Sequence, residues 1–297
     1  MHISRRAYAK LNLSLAVGPP VRGGMHPIAS WMHAIDLFDT VQVQWLGEHH
    51  PPAFEVTWAA DAPRPSPIDW PKEKDLAIRA LRLFEQHEGR SLPISIKIEK
   101  RIPVGGGLGG GSSDAAAVLL AISDLMSLTT KRDVLAKLSA VIGSDIAFFI
   151  DDARESPPRP ALVEGLGDRV ERLPRREAQV ILILPNFGCP TGPVYKAFDK
   201  LVGPDKPFRD TAVRQAAAAA DIASEHLFND LLAPAESIQP ALAPLRSVIE
   251  RSTGLPVHMS GSGSTLFMLP SIGTASELAA KIARETADIS VLTTGLV

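Results

Sequence analysis

Between residues 7 and 17 the chain reads AYAKLNLSLAV, with Leu11, Leu13 and Leu15 alternating against Lys10, Asn12 and Ser14. A period of two predicts a β-strand with one apolar face. The same alternation returns in AIDLFDTVQVQWL (34–46), FEVTW (54–58) and ISIKI (94–98), so the first hundred residues are expected to form mainly half-buried antiparallel strands. Proline-rich DAPRPSPIDWP (61–71) reads as a loop. The period then changes. Leu76, Ala80, Leu83 and Phe84 share one face of a helix expected over 73–88, and Val118, Leu119, Ile122, Leu125 and Met126 recur at helical spacing. A further helix is expected at about 131–142, with Thr130 as N-cap, Asp133 at the capping-box position and Gly143 as its stop. GSDIAFFI (143–150) reads as a return to strand.

ESPPRP (155–160) and RLPRREAQ (172–179) look like connectors, and a domain boundary is expected near the second, dividing the chain into 1–175 and 176–297. Beyond it come a strand at VILIL (180–184), helices around 193–202 and 209–250, strands in VHMSGSGSTLFML (257–269), a helix at 274–287 and a last strand. The order β-α-α-β-β-α-β suits a ferredoxin-like split β-α-β sandwich. The run AAAAA (216–220) is a strong helix former and needs no other role.

Composition narrows the function classes. The chain has 297 residues, 31 Lys and Arg against 33 Asp and Glu, and a net charge of −2. That balance lacks the basic stripe that a nucleic-acid partner leaves. Cys189 is the only cysteine, which excludes disulfides within the chain and fits a reducing cytoplasm. SRRAYAK (4–10) resembles a twin-arginine export signal, but an alternating strand follows in place of the apolar stretch such signals carry, so no export is expected. No apolar run approaches the ~20 residues of a membrane helix, and no membrane partner is expected. His49 and His50 stand before two prolines without further ligands at a suitable spacing, so they read as a solvated loop.

One stretch carries chemistry. PVGGGLGGGSSDAAA (103–117) follows a strand, packs six glycines into seven positions and runs into an apolar helix. Glycines let several N–H groups converge on one anion, and the helix N-terminus adds about half a positive charge. Ser112, Ser113 and Asp114 can cap that helix, and the two hydroxyls can bond phosphate. No lysine occurs in the stretch, which excludes the Walker A pattern. Gly105, Gly107 and Gly110 match the dinucleotide fingerprint, but the strands before them read as antiparallel and a helix stands where its second strand belongs, so the context fails. Asp145, after Gly143 and Ser144, stands where a carboxylate can project into a cleft, and Lys10 lies on the polar face of the first strand beside Asn12.

These segments resemble the GHMP kinases (galactose, homoserine, mevalonate and phosphomevalonate kinases and relatives). The glycine stretch carries the resemblance together with AKLNLSL (9–15), His26 followed by IDLFD (35–39), GSDIAFF (143–149), EGLGD (164–168), FNDL (228–231) and MSGSGSTLF (259–267). It implies an α+β, two-domain GHMP kinase fold: a ribosomal-protein-S5-domain-2-like N-terminal domain that binds ATP and a ferredoxin-like C-terminal domain that binds substrate. It also implies ATP and magnesium as cofactors, with the magnesium ligands left open. ATP would lie on Pro103, Val104, Gly105, Gly106, Gly107, Leu108, Gly109, Gly110, Gly111, Ser112 and Ser113. Lys10 and Asp145 take the places of the family's catalytic pair. The triple-glycine form with SSDAAA resembles the branch that phosphorylates the tertiary 2-hydroxyl of a small-molecule substrate, a cytidine diphosphate-linked methylerythritol. In that branch the substrate would meet Asn12, Met25, His26, Thr191, Tyr195, Gly261 and Gly263. The chain departs from the branch at Met25, where a tyrosine usually stacks on the cytosine. The alternatives are a GHMP kinase for another small alcohol of the mevalonate or sugar type, and an inactive nucleotide-binding homologue. Oligomeric state is not legible.

Overall fold

The computed structural model describes residues 1–21, 23–47, 50–126, 135, 141–151, 156–203 and 206–297. Two long strands open it, β1 (His2–Val17) and β2 (Ile28–Trp45), paired with each other. The chain divides into two compact units, and both strands contribute to each: residues 1–9, 37–104 and 109–158 form the first unit, and 10–36, 105–108 and 159–297 the second. Both units therefore draw on the chain before residue 175.

In the first unit the C-terminal half of β2 runs antiparallel to β4 (Ile94–Lys100), with Val43 opposite Ile96, and β4 runs parallel to β3 (Ala53–Trp58), with Ile98 opposite Val56. Helix α1 (Leu76–Glu88) starts where Asp75 accepts the N–H of Ala77 and stops at left-handed Gly89. It buries Ala77, Ala80, Leu81 and Phe84 and packs on α2 (Gly110–Leu125), the helix that follows the glycine stretch. Residues Ile146–Phe149 form a short helix, α3, where a return to strand was expected over 143–150. All four of its residues are buried, and a short run buried on every side carries no period to separate helix from strand. The helix expected at 131–142 lies outside the described residues apart from Leu135, Val141 and Ile142.

In the second unit the N-terminal half of β2 pairs with β5 (Ala161–Gly165), which turns back into β6 (Arg169–Arg172). These two strands occupy the stretch between the expected connectors, to which the sequence assigned no element. The rest of the unit comprises β7 (Gln179–Pro185), α4 (Thr191–Val202), α5 (Asp210–Ala218), α6 (Leu232–Ile238), α7 (Leu242–Thr253), β8 (His258–Met259), β9 (Leu266–Met268), α8 (Ala275–Glu285) and β10 (Ile289–Gly295). Sheet order β10-β7-β9-β8, antiparallel throughout, is the ferredoxin-like arrangement the element order predicted. The expected helical stretch 209–250 is broken into α5, α6 and α7 with a single 3₁₀ turn at Ser224–His226. Prolines set the new starts: Pro234 and Pro244 each lie in a first turn, where a missing N–H costs no helical bond.

β1 corrects the expectation of a single buried face. Every residue from Ala7 to Val17 is buried, including Lys10, Asn12 and Ser14. Hydrogen bonds make the polar face tolerable: Asn12 Nδ2 donates to Ser30 Oγ at 2.8 Å, Ser30 Oγ to the Ser14 carbonyl at 3.0 Å, and Ser14 Oγ to the His226 carbonyl at 3.2 Å.

Candidate functional site

Glycine residues 105, 107 and 109 all take positive φ, +70°, +77° and +72°, which L side chains rarely adopt. The chain thus coils tightly between β4 and α2. α2 begins at Gly110, with Gly109 in the N-cap position and no side-chain cap bond. Ser112, Ser113 and Asp114 therefore lie inside the helix and do not cap it as expected. With no side-chain cap and no acidic residue in the first turn, the leading N–H groups and their dipole are open to an external anion. Gly111 is exposed, and a Cβ there would meet only Leu76 Cδ1, at 3.6 Å. Pro103 is buried and Val104 exposed at the start of the coil, and buried Leu108 accepts the Lys10 N–H at 2.9 Å.

A second glycine-rich turn, 260–265, locks onto the first. The Thr265 N–H donates to the Gly106 carbonyl at 3.2 Å, and Ser260 Oγ to the Gly107 carbonyl at 3.0 Å. A Cβ on Gly107 would stand 2.2 Å from the Ser260 carbonyl oxygen. One on Gly261 would stand 3.0 Å from the Gly107 oxygen, and one on Gly263 2.8 Å from Met259 Sδ. Close approach by the protein's own backbone is thus the reason for glycine at 107. Asn229, from the FNDL segment, clamps the second turn by donating to the Met259 and Gly261 carbonyls, each at 2.8 Å. Sequence reasoning quoted this segment without giving Asn229 a role, since the role depends on a turn 30 residues away.

Lys10 sits between the two turns, 2% exposed, with Nζ 2.9 Å from the Gly107 carbonyl and 2.5 Å from Asn12 Oδ1. Asn12 is thereby committed at both ends of its amide, to Lys10 and to Ser30, and it orients the lysine. In the first unit, half-buried Asp145 immediately precedes α3, whose four buried residues anchor it. The turn that carries Asp145 runs beside the first turn of α2, for a Cβ on Gly143 would lie 4.0 Å from Ser112 Oγ. Ser113 is buried and lines a cavity of about 610 Å³ with Arg6, Tyr8, Phe38 and Ala117.

The residues expected to meet a base gather in the second unit. The His26 ring stands 5.3 Å from the Tyr195 ring and 5.7 Å from the Phe198 ring. Its Nδ1 is 2.9 Å from the Gly18 carbonyl and its Nε2 3.2 Å from Asp199 Oδ1, so both ring nitrogens are engaged within the protein. Met25, beside it, is 54% exposed. Thr191 Oγ1 lies 3.1 Å from Ser262 Oγ, tying the start of α4 to the second glycine turn. Cys189 is buried and its thiol is pushed up by that burial, which leaves it inert as a nucleophile. Burial likewise lowers His33 and His258 to about 4.

The profile described as GHMP kinases N terminal domain matches residues 75–152, and that described as GHMP kinases C terminal matches 210–288. The 4-diphosphocytidyl-2-C-methyl-D-erythritol kinase of Caulobacter vibrioides (strain NA1000 / CB15N) is 36% identical over 276 residues, 91% of this chain and 90% of its own. The enzyme of the same name from Thermobifida fusca (strain YX) is 34% identical, covering 94% of this chain and 91% of its own. A crystal structure of 4-(cytidine 5'-diphospho)-2C-methyl-D-erythritol kinase superposes with a TM-score of 0.74 at 30% identity, covering 99% of both chains. Mevalonate kinase of Methanococcus jannaschii shares the fold, with a TM-score of 0.70 at 16% identity over 100% of this chain and 98% of its own. Two domain profiles in the expected order, and relatives above 30% identity along nearly the whole length, agree with the paired glycine turns: the chain belongs to the GHMP kinases.

Proposed function

We propose that this GHMP kinase transfers the γ-phosphoryl group of ATP to the 2-hydroxyl of 4-diphosphocytidyl-2-C-methyl-D-erythritol. The observation that carries the phosphate half is the uncapped first turn of α2 at the end of the glycine coil. Phosphoryl transfer is mainly positioning and charge stabilisation. Residues 103–113 hold the nucleotide, with the N–H groups of the first turn directed at its phosphates. Lys10, fixed by Asn12 and the Gly107 carbonyl, supplies positive charge to the transferring group. Asp145 takes the proton of the attacking hydroxyl. Magnesium brought with the nucleotide would offset charge on its phosphates.

The substrate half rests on relatives that bear this activity in their names and on the cluster around His26. Tyr195 offers the cytosine one face and Met25 a thioether in place of a second ring. His26 reads the base edge through a ring nitrogen only by releasing Asp199, whose side chain is 46% exposed and free to swing away. Residues 1–175 serve the nucleotide and the chemistry and lend Met25 and His26 to the substrate, and 176–297 supply the rest of its site. We place the reaction in the cytoplasm, for which a single buried, reduced cysteine speaks. The test is a product assay with ATP, magnesium and the cytidyl substrate, followed by phosphorus NMR. A new phosphomonoester resonance on the erythritol supports the reading. Turnover of mevalonate or a sugar in its place, or no turnover, sinks it.

A further inference from the structure

A charged cluster in the first unit involves neither Lys10 nor any residue expected to meet substrate. Lys100, the last residue of β4, is 4% exposed, and its Nζ stands 2.5 Å from Asp39 Oδ2 and 2.6 Å from Asp114 Oδ2. Asp39 and Asp114 are both buried as well. A buried ammonium between two carboxylates is strongly destabilising to break by deleting one partner, because the remaining charges stay out of water.

The placement of the three residues shows what they hold. Asp39 Oδ1 accepts the N–H groups of Arg101 at 2.5 Å and Ile102 at 2.8 Å, the two residues by which the chain leaves β4 for the glycine coil. Asp114 is the fifth residue of α2, the helix by which the chain leaves that coil. The two stems also touch: a Cβ on Gly110 would meet Ile102 Cγ2 at 2.9 Å and Asp39 Oδ2 at 3.6 Å. Both ends of the coil are therefore fastened to one ammonium.

We propose that Asp39, Lys100 and Asp114 are positioning residues for phosphate binding, which clamp the two stems of the glycine coil and keep the nearby Asp114 carboxylate from opposing an incoming anion. The proposal rests on the assignment of the nucleotide phosphates to this coil. An uncompensated carboxylate four residues into α2 would cancel part of the field that the helix N-terminus offers a phosphate. Lys100 compensates it. Desolvation, the largest influence on the Asp114 carboxyl, pushes it well above the usual carboxylate range, against the pull of Lys100, and the Asp39 charge pushes the same way. Among the described residues, buried Asp114 Oδ1 has no hydrogen-bond partner. Both facts fit a group placed for its bond to Lys100 and not for its own solvation.

The experiment measures ADP affinity by calorimetry without the alcohol substrate, and KM for each substrate, in Asp114→Ala, Asp114→Asn and Lys100→Met. Circular dichroism checks folding. Asp114→Ala leaves Lys100 with Asp39 and should keep the fold. Its Kd for ADP and KM for ATP should rise about tenfold, with KM for the alcohol within twofold. Asp114→Asn, which restores an acceptor for Lys100, should recover most of that loss. Lys100→Met, with two carboxylates left facing each other, should show the largest rise if it folds. A merely structural role would lower the amount of active enzyme and leave both KM values unchanged. Folded Asp114→Ala with wild-type ADP affinity overturns the proposal. Gly111→Val separates the underlying assumption, since it adds bulk where the protein has room. If it leaves ADP binding untouched, the coil is not the phosphate site and the proposal falls with it. If it abolishes binding while Asp114→Ala does not, only the proposal falls.

Discussion

The two glycine turns look alike in sequence, yet their glycines answer to different neighbours. In GGGLGGG (105–111), Gly105 takes φ +70° with nothing within 4 Å of where a Cβ would stand, and Gly111 is exposed. In MSGSGS (259–264), Gly261 and Gly263 are hemmed in by Gly107, Lys10 Nζ, Met259 and Cys189. Gly107 belongs with the second group, since the Ser260 carbonyl oxygen occupies its missing side chain's place. Part of the first turn thus faces outward and is open to a ligand, while the second turn and Gly107 form a backbone-to-backbone joint. A glycine count does not distinguish these uses. The difference teaches that the joint positions Lys10, while Gly105 and Gly111 keep open space around them.

The strongest break in that comparison is Gly107→Ala. A methyl 2.2 Å from a backbone oxygen, at φ +77°, cannot be relieved by a side-chain rotation. The loss should be about 4 kcal/mol or more, among the larger effects of single substitutions. Urea unfolding measures it, and a wild-type midpoint would show that the joint is not tight. Gly111→Val should keep that midpoint and lose nucleotide.

Next come the groups proposed for the chemistry. Lys10→Ala and Asp145→Asn should each lower kcat about 10²–10⁴-fold, the usual contribution of a positioned acid–base group or charge. Asp145→Asn should leave ADP affinity nearly as it was. Single-turnover rates separate the chemical step from binding, and near-normal turnover in Asp145→Asn would remove the carboxylate from the mechanism.

Acid should loosen the second unit. His258, in the strand that enters the second turn, and His33 both have folded pKa values lowered to about 4, from 6.5, by burial. Each is neutral in the fold, so the unfolded chain binds the proton first as pH falls. The stability they protect is fully present above about 6.5 and is lost progressively down to about 4. Each histidine accounts for roughly 3 kcal/mol at the low end, since every tenfold difference in proton affinity between folded and unfolded chain is worth about 1.4 kcal/mol. Stability measured at pH 7 and pH 4.5 should differ less in His258→Asn than in the parent. An equal difference would remove His258 from the explanation.

Smaller effects sharpen the picture. Ser260→Ala removes a donor to the Gly107 carbonyl and an acceptor for the Asn12 N–H, 3.2 Å away. It should cost about 1–2 kcal/mol of stability and raise KM modestly. Met25→Tyr lies outside both turns and should leave stability unchanged. It should tighten a cytidine diphosphate analogue by about 1 kcal/mol, the difference between base–aromatic stacking and a sulfur–aromatic contact. No gain in calorimetry would mean that the cytosine does not lie on Met25.

Local chemistry made much of this legible. The coil between a strand and an apolar helix was legible from six glycines, because backbone freedom and helix polarity are properties of the nearby residues themselves. The ferredoxin-like order of the second unit followed from alternating apolar strands and helical periods. The buried cluster also left a trace: Asp39 shares the parity of Leu37, Val41 and Val43, and Lys100 that of Ile94, Ile96 and Ile98, so both charges stand at core positions. A charge in the core register of a strand is a signal for a partner, though not for which partner.

Tertiary structure decided the rest. Alternation in β1 indicated one dry face, but packing covered both, and hydrogen bonds to Ser30, His226, Ser260 and Gly107 make the polar face tolerable. Asp145 precedes a helix and not a strand, because Ile146–Phe149 is buried on every side and a period of two or of 3.6 needs an exposed face to be read. That Ser260, 153 residues away, packs against Gly107 was not legible in the glycine pattern. Sequence by itself determines conformational freedom, helix polarity and apolar pattern, since each depends on a residue and its near neighbours. Which atom fills the space a glycine leaves, and which carboxylate meets a buried lysine, depends on segments brought together only when the chain has folded.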